Sequence, residues 1–293
     1  MTSFHRIAMT TEIHSRTALL LRILRIPLVS ILVLYFSLYH VNATGVIFMV
    51  TTAKGLVQPL VVGLLTVANM LLVYVSFAYF VERRTVGELA LPRMGRELGL
   101  GLALGFGLMT ACVLIANFLG VYRVEGLASW HNLMPTGVAL SLPFFEELAF
   151  RGVVFRILEQ KFGSWVALAL SSLVFGGVHF ANGGETLAGV ASIAFVYGPL
   201  LTAPFMVTRR LWVSIGLHGA WNYTMGKVFS VSVSGVATPG LFKSTLEGPN
   251  LLTGGHAGME GSLIGILVGV VATVVLLILA VRRGHIVPPA RAR

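Results

Sequence analysis

Residues 261–281 read GSLIGILVGVVATVVLLILAV, a run of 21 residues without a charged side chain. A helix of about 20 apolar residues crosses the hydrocarbon core of a bilayer, so this stretch predicts a membrane-spanning helix. Seven more segments of similar character precede it, at about 17–40, 56–81, 98–119, 133–157, 164–181, 187–207 and 211–231. The sequence therefore predicts an all-α, polytopic transmembrane helical bundle of about eight spans.

The composition supports a membrane protein throughout the chain. Of 293 residues, 56% are hydrophobic and only 11% are charged, with a mean hydropathy of +0.87. Soluble domains carry about a quarter charged residues. No polar stretch is long enough for a separate soluble domain, so we interpret residues 1–293 as a single membrane domain. Cys112 is the only cysteine, which excludes a disulfide within the chain.

The net charge of +10 is of the kind found in nucleic-acid-binding proteins, but its distribution follows membrane topology. With eight spans, 17 of the 21 lysine and arginine residues fall on one side, and only Lys54, Arg123, Lys227 and Lys243 fall on the other. Basic residues accumulate in cytoplasmic loops. We therefore expect an integral membrane protein with both termini cytoplasmic, in contact with the lipid bilayer and not with nucleic acid.

A Gly-rich segment over residues 232–260 separates the seventh and eighth predicted spans and is expected to be an external loop. A loop of this length either has a function, for example as a lid, or lacks structure. It contains His256 and Glu260, both of which are potential ligands. We interpret them as loop residues that face water.

Three charged residues interrupt the apolar fourth segment, in FFEELAFRG at 144–152. Ionisable side chains inside a membrane are costly and usually mark function. Glu147 and Arg151 are four residues apart, the spacing of a helical ion pair. Glu146 is turned about 100° away and lacks that partner, so a desolvated carboxylate is available there for general acid–base chemistry.

Two histidines and an asparagine lie within the following segments. His179 closes FGGVH in the fifth segment, and His218 opens HGAWN in the seventh, which places Asn222 on the same helical face. The fourth and fifth segments predict a helical hairpin that turns near Gly163. At ~1.5 Å per residue, Glu146 and His179 are each about 25 Å from that turn and therefore level. A shared site is predicted.

These motifs resemble those of the CPBP family, the CAAX prenyl proteases and bacteriocin-processing enzymes that are also called the Abi group. The matching positions are Glu146, Glu147 and Arg151 in the first motif, Phe175 and His179 in the second, and His218 and Asn222 in the third. The resemblance covers about residues 134–225, a catalytic core formed by spans 4 to 7.

The resemblance implies an intramembrane endopeptidase that acts on a membrane-associated protein or peptide. It implies that Glu146 and His179 activate the attacking water, that His218 and Asn222 hold the oxyanion, and that Glu147 and Arg151 form a structural ion pair. Zinc bound by Glu146, His179 and His218 would make the protein a metalloendopeptidase. The sequence lacks H-E-x-x-H, and a metal-free mechanism that uses the same groups is our preferred interpretation.

Two alternatives from other functional classes remain open at the level of sequence. A proton-coupled transporter would use Glu146, His179 and His218 as a proton relay. A non-catalytic membrane scaffold would keep the same buried polar residues for packing. Against a transporter, we find no inverted repeat with paired broken helices, and against a scaffold, no motif residue is lost.

Overall fold

The computed structural model describes residues 17–55, 57–182 and 186–290, which form a helical bundle with one short β-ribbon. The helices are α1 (Pro27–Thr51), α2 (Val57–Phe77), α3 (Met94–Phe118), α4 (Gly137–Glu147), α5 (Arg156–Val178), α6 (Leu187–Ser192), α7 (Gly198–Thr208), α8 (Trp212–Tyr223), α9 (Asn250–Thr253) and α10 (Leu263–Arg282). The strands are β1 (Tyr122–Leu127) and β2 (Phe242–Leu246). Segments of π-helix extend several helices, at Ala78–Glu82, Leu148–Phe155, Ile193–Tyr197 and Thr224–Val228.

Six helical stretches in the described part of the chain are long and apolar enough to cross a membrane. They are Pro27–Thr51, Val57–Glu82, Gly87–Phe118, Trp130–Ala181, Leu187–Thr208 and Gly255–Arg282. Many large apolar side chains of α1, α2 and α10 are exposed on the outside of the bundle, as expected for surfaces in contact with lipid. The protein is therefore an integral membrane protein.

Six stretches rather than eight meet these criteria for two reasons. The fourth and fifth predicted spans are counted as one stretch of 52 residues, which is broken at Gly163 (φ 77°, ψ 169°). The seventh corresponds to α8 and its π-helical extension, which end at Val228 and are shorter than 18 residues. The count of eight spans stays a prediction.

The break at Gly163 is the turn of a helical hairpin. The Phe150 and Phe175 rings, one on each side of the turn, contact each other with centroids 5.0 Å apart. A side chain at Gly163 is excluded by its left-handed backbone and by the C-terminal segment, since a Cβ there would lie 2.8 Å from the Val287 carbonyl oxygen. The Ser164 amide also donates to Val287 O over 2.9 Å. The hairpin predicted from sequence is present in the structure.

The predicted bounds of the first span are wrong. Residues 17–24 are helical, the helix stops at residues 25–26, and α1 then runs from Pro27 to Thr51. Proline favours the first position of a helix and forces the preceding residue into an extended conformation, as seen for Ile26 (φ −64°, ψ 125°). The apolar pattern continues across this break and therefore does not reveal it.

The segment 232–260, predicted as a loop, contains regular structure. Strand β2 pairs antiparallel with β1, with Tyr122 opposite Leu246 and Leu127 opposite Phe242. The all-α prediction therefore omits one two-stranded ribbon. Short strands of mixed composition carry little periodic signal in a sequence, so their pairing appears only once the chain is folded.

Close packing of α3 against α8 positions the helix that carries His218. A Cβ added at Gly101 would lie 2.3 Å from the Val213 carbonyl oxygen, and one at Gly105 would lie 2.3 Å from the Leu217 carbonyl oxygen. Small residues four apart let two membrane helices approach backbone to backbone. These two glycines therefore fix the position of α8 against the rest of the bundle.

Candidate active site

The two glutamates lie where α4 changes from α-helix to π-helix. Pro143 lies inside α4 and has no N–H to donate, and the chain becomes π-helical over Leu148–Phe155. Segments of π-helix are rare and are often found at functional sites. The Glu147 side chain is fully buried, whereas that of Glu146 is 14% exposed.

Arg151 is held by Glu147 as the spacing predicts. Its Nη1 lies 3.0 Å from Glu147 Oε1, and both side chains are almost completely buried. The remaining donors are also used: Nε donates to Thr202 Oγ1 and Nη2 donates to the Gly198 carbonyl oxygen, each over 3.1 Å. The guanidinium also lies over the Phe175 ring, 4.4 Å from its centroid. Each of the three guanidinium nitrogens of Arg151 thus makes one hydrogen bond, and together they connect Glu147 to Gly198 and Thr202 of α7.

His218 lies between the two glutamates. Its Nδ1 donates to Glu147 Oε1 over 2.8 Å, and its Nε2 is 3.5 Å from Glu146 Oε2. A neutral ring that donates from Nδ1 has a lone pair on Nε2. Two acceptors facing each other repel, so a proton on Glu146 or on His218 is needed for this contact to be favourable. The pair is thus arranged to share a proton.

His179 lies at the C-terminal end of α5, and its Nδ1 is oriented by its own helix. Nδ1 is 2.7 Å from the Phe175 carbonyl oxygen, which can only accept, so Nδ1 carries the proton and Nε2 is left as an acceptor. The Phe175 ring contacts both histidine rings edge-on, with centroid distances of 4.8 Å to His179 and 6.3 Å to His218. The motif spacing of four residues thus fixes the orientation of His179.

A cavity brings together residues from each part of the predicted site. His179, His218 and Asn222 all line it, and Glu146 Oε2 is 3.5 Å from Nε2 of the lining residue His218. The sequence suggested that Glu146 works with His179, whereas the contact in the structure is with His218. The cavity is enclosed by side chains from α5, α7, α8 and the segment before α10.

Glu260 lines the same cavity and is only 5% exposed, so the prediction that it faces water is wrong. His256 is exposed, as predicted. Glu260 comes directly before an apolar span, and the three-residue turn of the 3₁₀ segment Gly255–Gly261 places it inward. The sequence shows that Glu260 precedes an apolar span. It does not show the direction of the side chain, because that direction depends on the 3₁₀ turn.

Two more polar groups in the cavity were not found from the sequence. Tyr197 and Trp221 line it with ring centroids 5.2 Å apart. Tyr197 Oη and Trp221 Nε1 are buried without a hydrogen-bond partner among the described residues. Buried donors without partners are uncommon in native proteins. They are therefore available to a bound substrate or to water.

The side chains do not form a ready metal site. Within residues 17–55, 57–182 and 186–290, no three His, Cys, Asp or Glu side chains are arranged to hold one ion. Nδ1 of His218 donates to Glu147 and Nδ1 of His179 donates to the Phe175 carbonyl oxygen, so Nε2 of each ring is the nitrogen left for a further partner, the orientation that metal-binding histidines also have. Among the described residues, Glu146, His179 and His218 therefore offer suitable donor atoms but are not preassembled around one point.

The site thus combines carboxylates, two histidines and an asparagine beside a buried cavity, groups that can supply general acid–base catalysis and hydrogen-bond donors. Residues 128–224 match the family model described as type II CAAX prenyl endopeptidase Rce1-like. This match confirms the resemblance to CAAX proteases over the region that carries all three motifs. No curated protein and no solved structure matches the chain significantly.

Proposed function

We propose that the protein is an intramembrane endopeptidase that hydrolyses a peptide bond of a membrane-associated substrate. The observation that carries the proposal is that His179, His218 and Asn222 line one cavity, with Glu146 3.5 Å from His218, within the region that matches the CAAX protease family model. The substrate class is either a CAAX-type C-terminal peptide, as the family description says, or a bacteriocin or leader-type peptide.

In this mechanism Glu146 and His179 activate the water. Glu146 takes a proton from the water as its oxygen attacks the scissile carbonyl carbon, and His179 accepts a hydrogen bond at Nε2 to orient that water. Collapse of the tetrahedral intermediate breaks the C–N bond, and Glu146 returns its proton to the leaving amine. The products are a carboxylic acid and an amine, and transfer of the acid's proton to the amine gives a carboxylate and an ammonium group. Glu146 is again a carboxylate, ready for the next turnover.

His218 and Asn222 stabilise the oxyanion. The amide of Asn222 donates directly, and His218 donates from Nε2 when it holds the proton that it shares with Glu146. The carboxylate of Glu147 favours this charged form, because it accepts from Nδ1 over 2.8 Å. Preorganised donors of this kind in a water-poor site are usually the largest single contribution to catalysis.

No step in this mechanism passes through a metal ion. Each step uses only side chains of this chain, and elemental analysis of active, chelator-washed enzyme tests the metal-free proposal directly. Zinc present in a 1:1 ratio, lost together with activity and restored with it, would contradict this part of the mechanism.

The activity is tested with purified protein in proteoliposomes and two fluorogenic reporters, a prenylated CAAX peptide and a leader-type peptide. We expect cleavage of one of them at a single bond, and no cleavage by Glu146→Ala at equal protein concentration. A wild-type protein that cleaves neither reporter, but carries protons across the vesicle membrane, would replace this proposal with the transporter alternative.

We also propose that both termini are cytoplasmic, because 17 of the 21 basic residues then lie on the cytoplasmic side. Reporter fusions after Arg210 and after the C-terminus are expected to read cytoplasmic, and a fusion after Thr253 is expected to read external. A C-terminus that reads external would overturn both this orientation and the count of eight spans.

A further inference from the structure

Glu260 is a buried carboxylate to which the mechanism above gives no role. It precedes α10 and is 5% exposed, and it lines the cavity together with His179, His218 and Asn222. Its backbone carbonyl accepts a hydrogen bond from Ser192 Oγ over 2.6 Å, which fixes its main chain against the end of α6. The main chain at Glu260 is therefore anchored to α6.

The carboxylate of Glu260 holds a tight turn that follows α8. Glu260 Oε2 accepts from the backbone N–H and from Oγ of Ser234, each over 2.9 Å. The turn is closed by two backbone hydrogen bonds between Val233 and Val236, of 3.0 and 2.8 Å. Ser234 has a φ of 44°, a conformation that is strained for a residue with a side chain. The turn therefore needs an external contact to keep its shape.

This turn, Val233–Val236, forms part of the cavity wall. Ser234 and Glu260 line the cavity with the histidines and Asn222, so the turn contributes to its wall. Glu260 is also within electrostatic range of His179 and His218. The hydrogen bonds from Ser234 thus connect the loop to the walls that carry the proposed catalytic residues.

We propose that Glu260 is a positioning residue that holds the Val233–Val236 turn as a wall of the candidate active site. The hydrogen bonds that it accepts, rather than its charge, are the essential feature. Without them the strained turn moves away and the cavity opens to water, which weakens every polar interaction inside it. The effect on catalysis rests on the proposed function, whereas the closure of the cavity does not.

Closure is measured by the reactivity of Cys112, the only cysteine of the chain. Cys112 is fully buried and within electrostatic range of Tyr197, which lines the cavity. A small neutral reagent, methyl methanethiolsulfonate, reports how often this region opens. Since two hydrogen bonds to a charged group are lost, Glu260→Ala is expected to increase the labelling rate by about tenfold or more.

Matched variants separate hydrogen bonding from other effects. Glu260→Gln keeps an oxygen that accepts both bonds from Ser234, so its labelling rate should stay within about threefold of wild type. Ser234→Ala removes only the Oγ bond, keeps the fold, and should give an intermediate rate. Glu247→Ala is the control, because Glu247 is exposed in the same segment. Two results would overturn the proposal: a Cys112 labelling rate in Glu260→Ala that equals the wild-type rate, or a rate in Glu260→Gln that is as high as in Glu260→Ala.

Cleavage kinetics then test the positioning role. With the substrate identified above, Glu260→Ala should lower kcat about tenfold or more, and Glu260→Gln should restore it. If Glu260→Ala increased Cys112 labelling but left kcat unchanged, Glu260 would close the cavity without a role in catalysis. If the protein cleaves no peptide at all, the labelling series still decides whether Glu260 closes the cavity, so the two failures are distinguishable.

Discussion

Two groups of buried charges in this protein differ in how the charges are balanced. The first, which we call the ion-pair network, comprises Glu82, Arg84, Glu88 and Arg156. Each carboxylate there lies within 4 Å of both guanidiniums: Glu82 is 2.6 and 2.7 Å from Arg84 and Arg156, and Glu88 is 2.7 and 3.9 Å from the same two residues. Two negative charges therefore face two positive charges, and the network joins the end of α2 to the start of α5.

The candidate active site has the opposite character. Glu260 lines the cavity beside His218, and Glu146 and Glu147 both contact His218. The guanidinium of Arg151 is paired with Glu147. The remaining partners are histidines, which are charged only when they hold a proton. Matched permanent charges fix a structure, whereas unmatched acids beside histidines hold protons that can move. This difference supports the proposal that the site is catalytic.

The largest effect is expected for Glu146→Gln. If Glu146 is the base, the amide cannot accept a proton, and the cleavage rate should fall by at least about 10³-fold. The side chain keeps its shape, so the thermal unfolding midpoint in detergent should match wild type. Glu125→Gln is the matched control because Glu125 is exposed in β1. Retention of more than a tenth of the activity by Glu146→Gln would remove this residue from the mechanism.

Glu147→Gln is expected to affect stability first. It leaves the buried guanidinium of Arg151 without its ion pair, which should lower the free energy of unfolding by about 3 kcal/mol. The amide oxygen still accepts from His218 Nδ1, so the loss of activity should be smaller than for Glu146→Gln. Chemical denaturation and cleavage assays on both variants measure the difference. Equal stability and equal residual activity of the two variants would show that the glutamates do not have separate roles.

Asn222→Ala should slow catalysis without weakening substrate binding. Loss of one oxyanion donor typically costs about 10²-fold in kcat, or about 2.7 kcal/mol. Asn222→Asp should be slower still, because it places an acceptor against the developing negative charge. Steady-state kinetics test this: kcat should fall while KM stays within about twofold. A rise in KM with kcat unchanged would instead make Asn222 a residue that binds the substrate.

Much of the site could be predicted from the sequence because charge inside an apolar segment is rare and costly. The spacing of Glu147 and Arg151 predicted their contact. The distances of Glu146 and His179 from Gly163 predicted that these two residues are level, and this stays a prediction, while the Phe150 and Phe175 rings show that the two arms of the hairpin contact each other. Such predictions depend only on the rise of a helix and on residue spacing.

The remaining features depend on how separate segments meet. The sequence did not show that His218 contacts both glutamates, because the rotation of α8 is set by its packing on Gly101 and Gly105. It also placed Glu260 in water, since a side chain in a Gly-rich segment has no periodic pattern that gives its direction. The start of α1 at Pro27 was missed because the apolar residues continue across the break.

The smallest effect is expected for Glu82→Gln, in the ion-pair network. Glu82 is 13% exposed, and after its loss Arg84 and Arg156 still have Glu88 at 2.7 and 3.9 Å. Because both guanidiniums keep a charged partner, unfolding should become easier by only about 1 kcal/mol, as for partly solvated ion pairs. Activity should stay within about twofold of wild type, since no member of the network lines the cavity.

Glu82→Gln and Glu147→Gln together test the distinction between the two groups of charges, because each replaces one buried or partly buried carboxylate by an amide. Denaturation of the two variants in the same detergent gives the comparison. Glu82→Gln could destabilise the protein as much as Glu147→Gln does. In that case Glu88 would not compensate for the loss of Glu82, and the balance of charges would not explain why the network tolerates substitution. If Glu82→Gln also reduced cleavage, the network would be coupled to the site, and the balance of charges alone would not separate structure from chemistry.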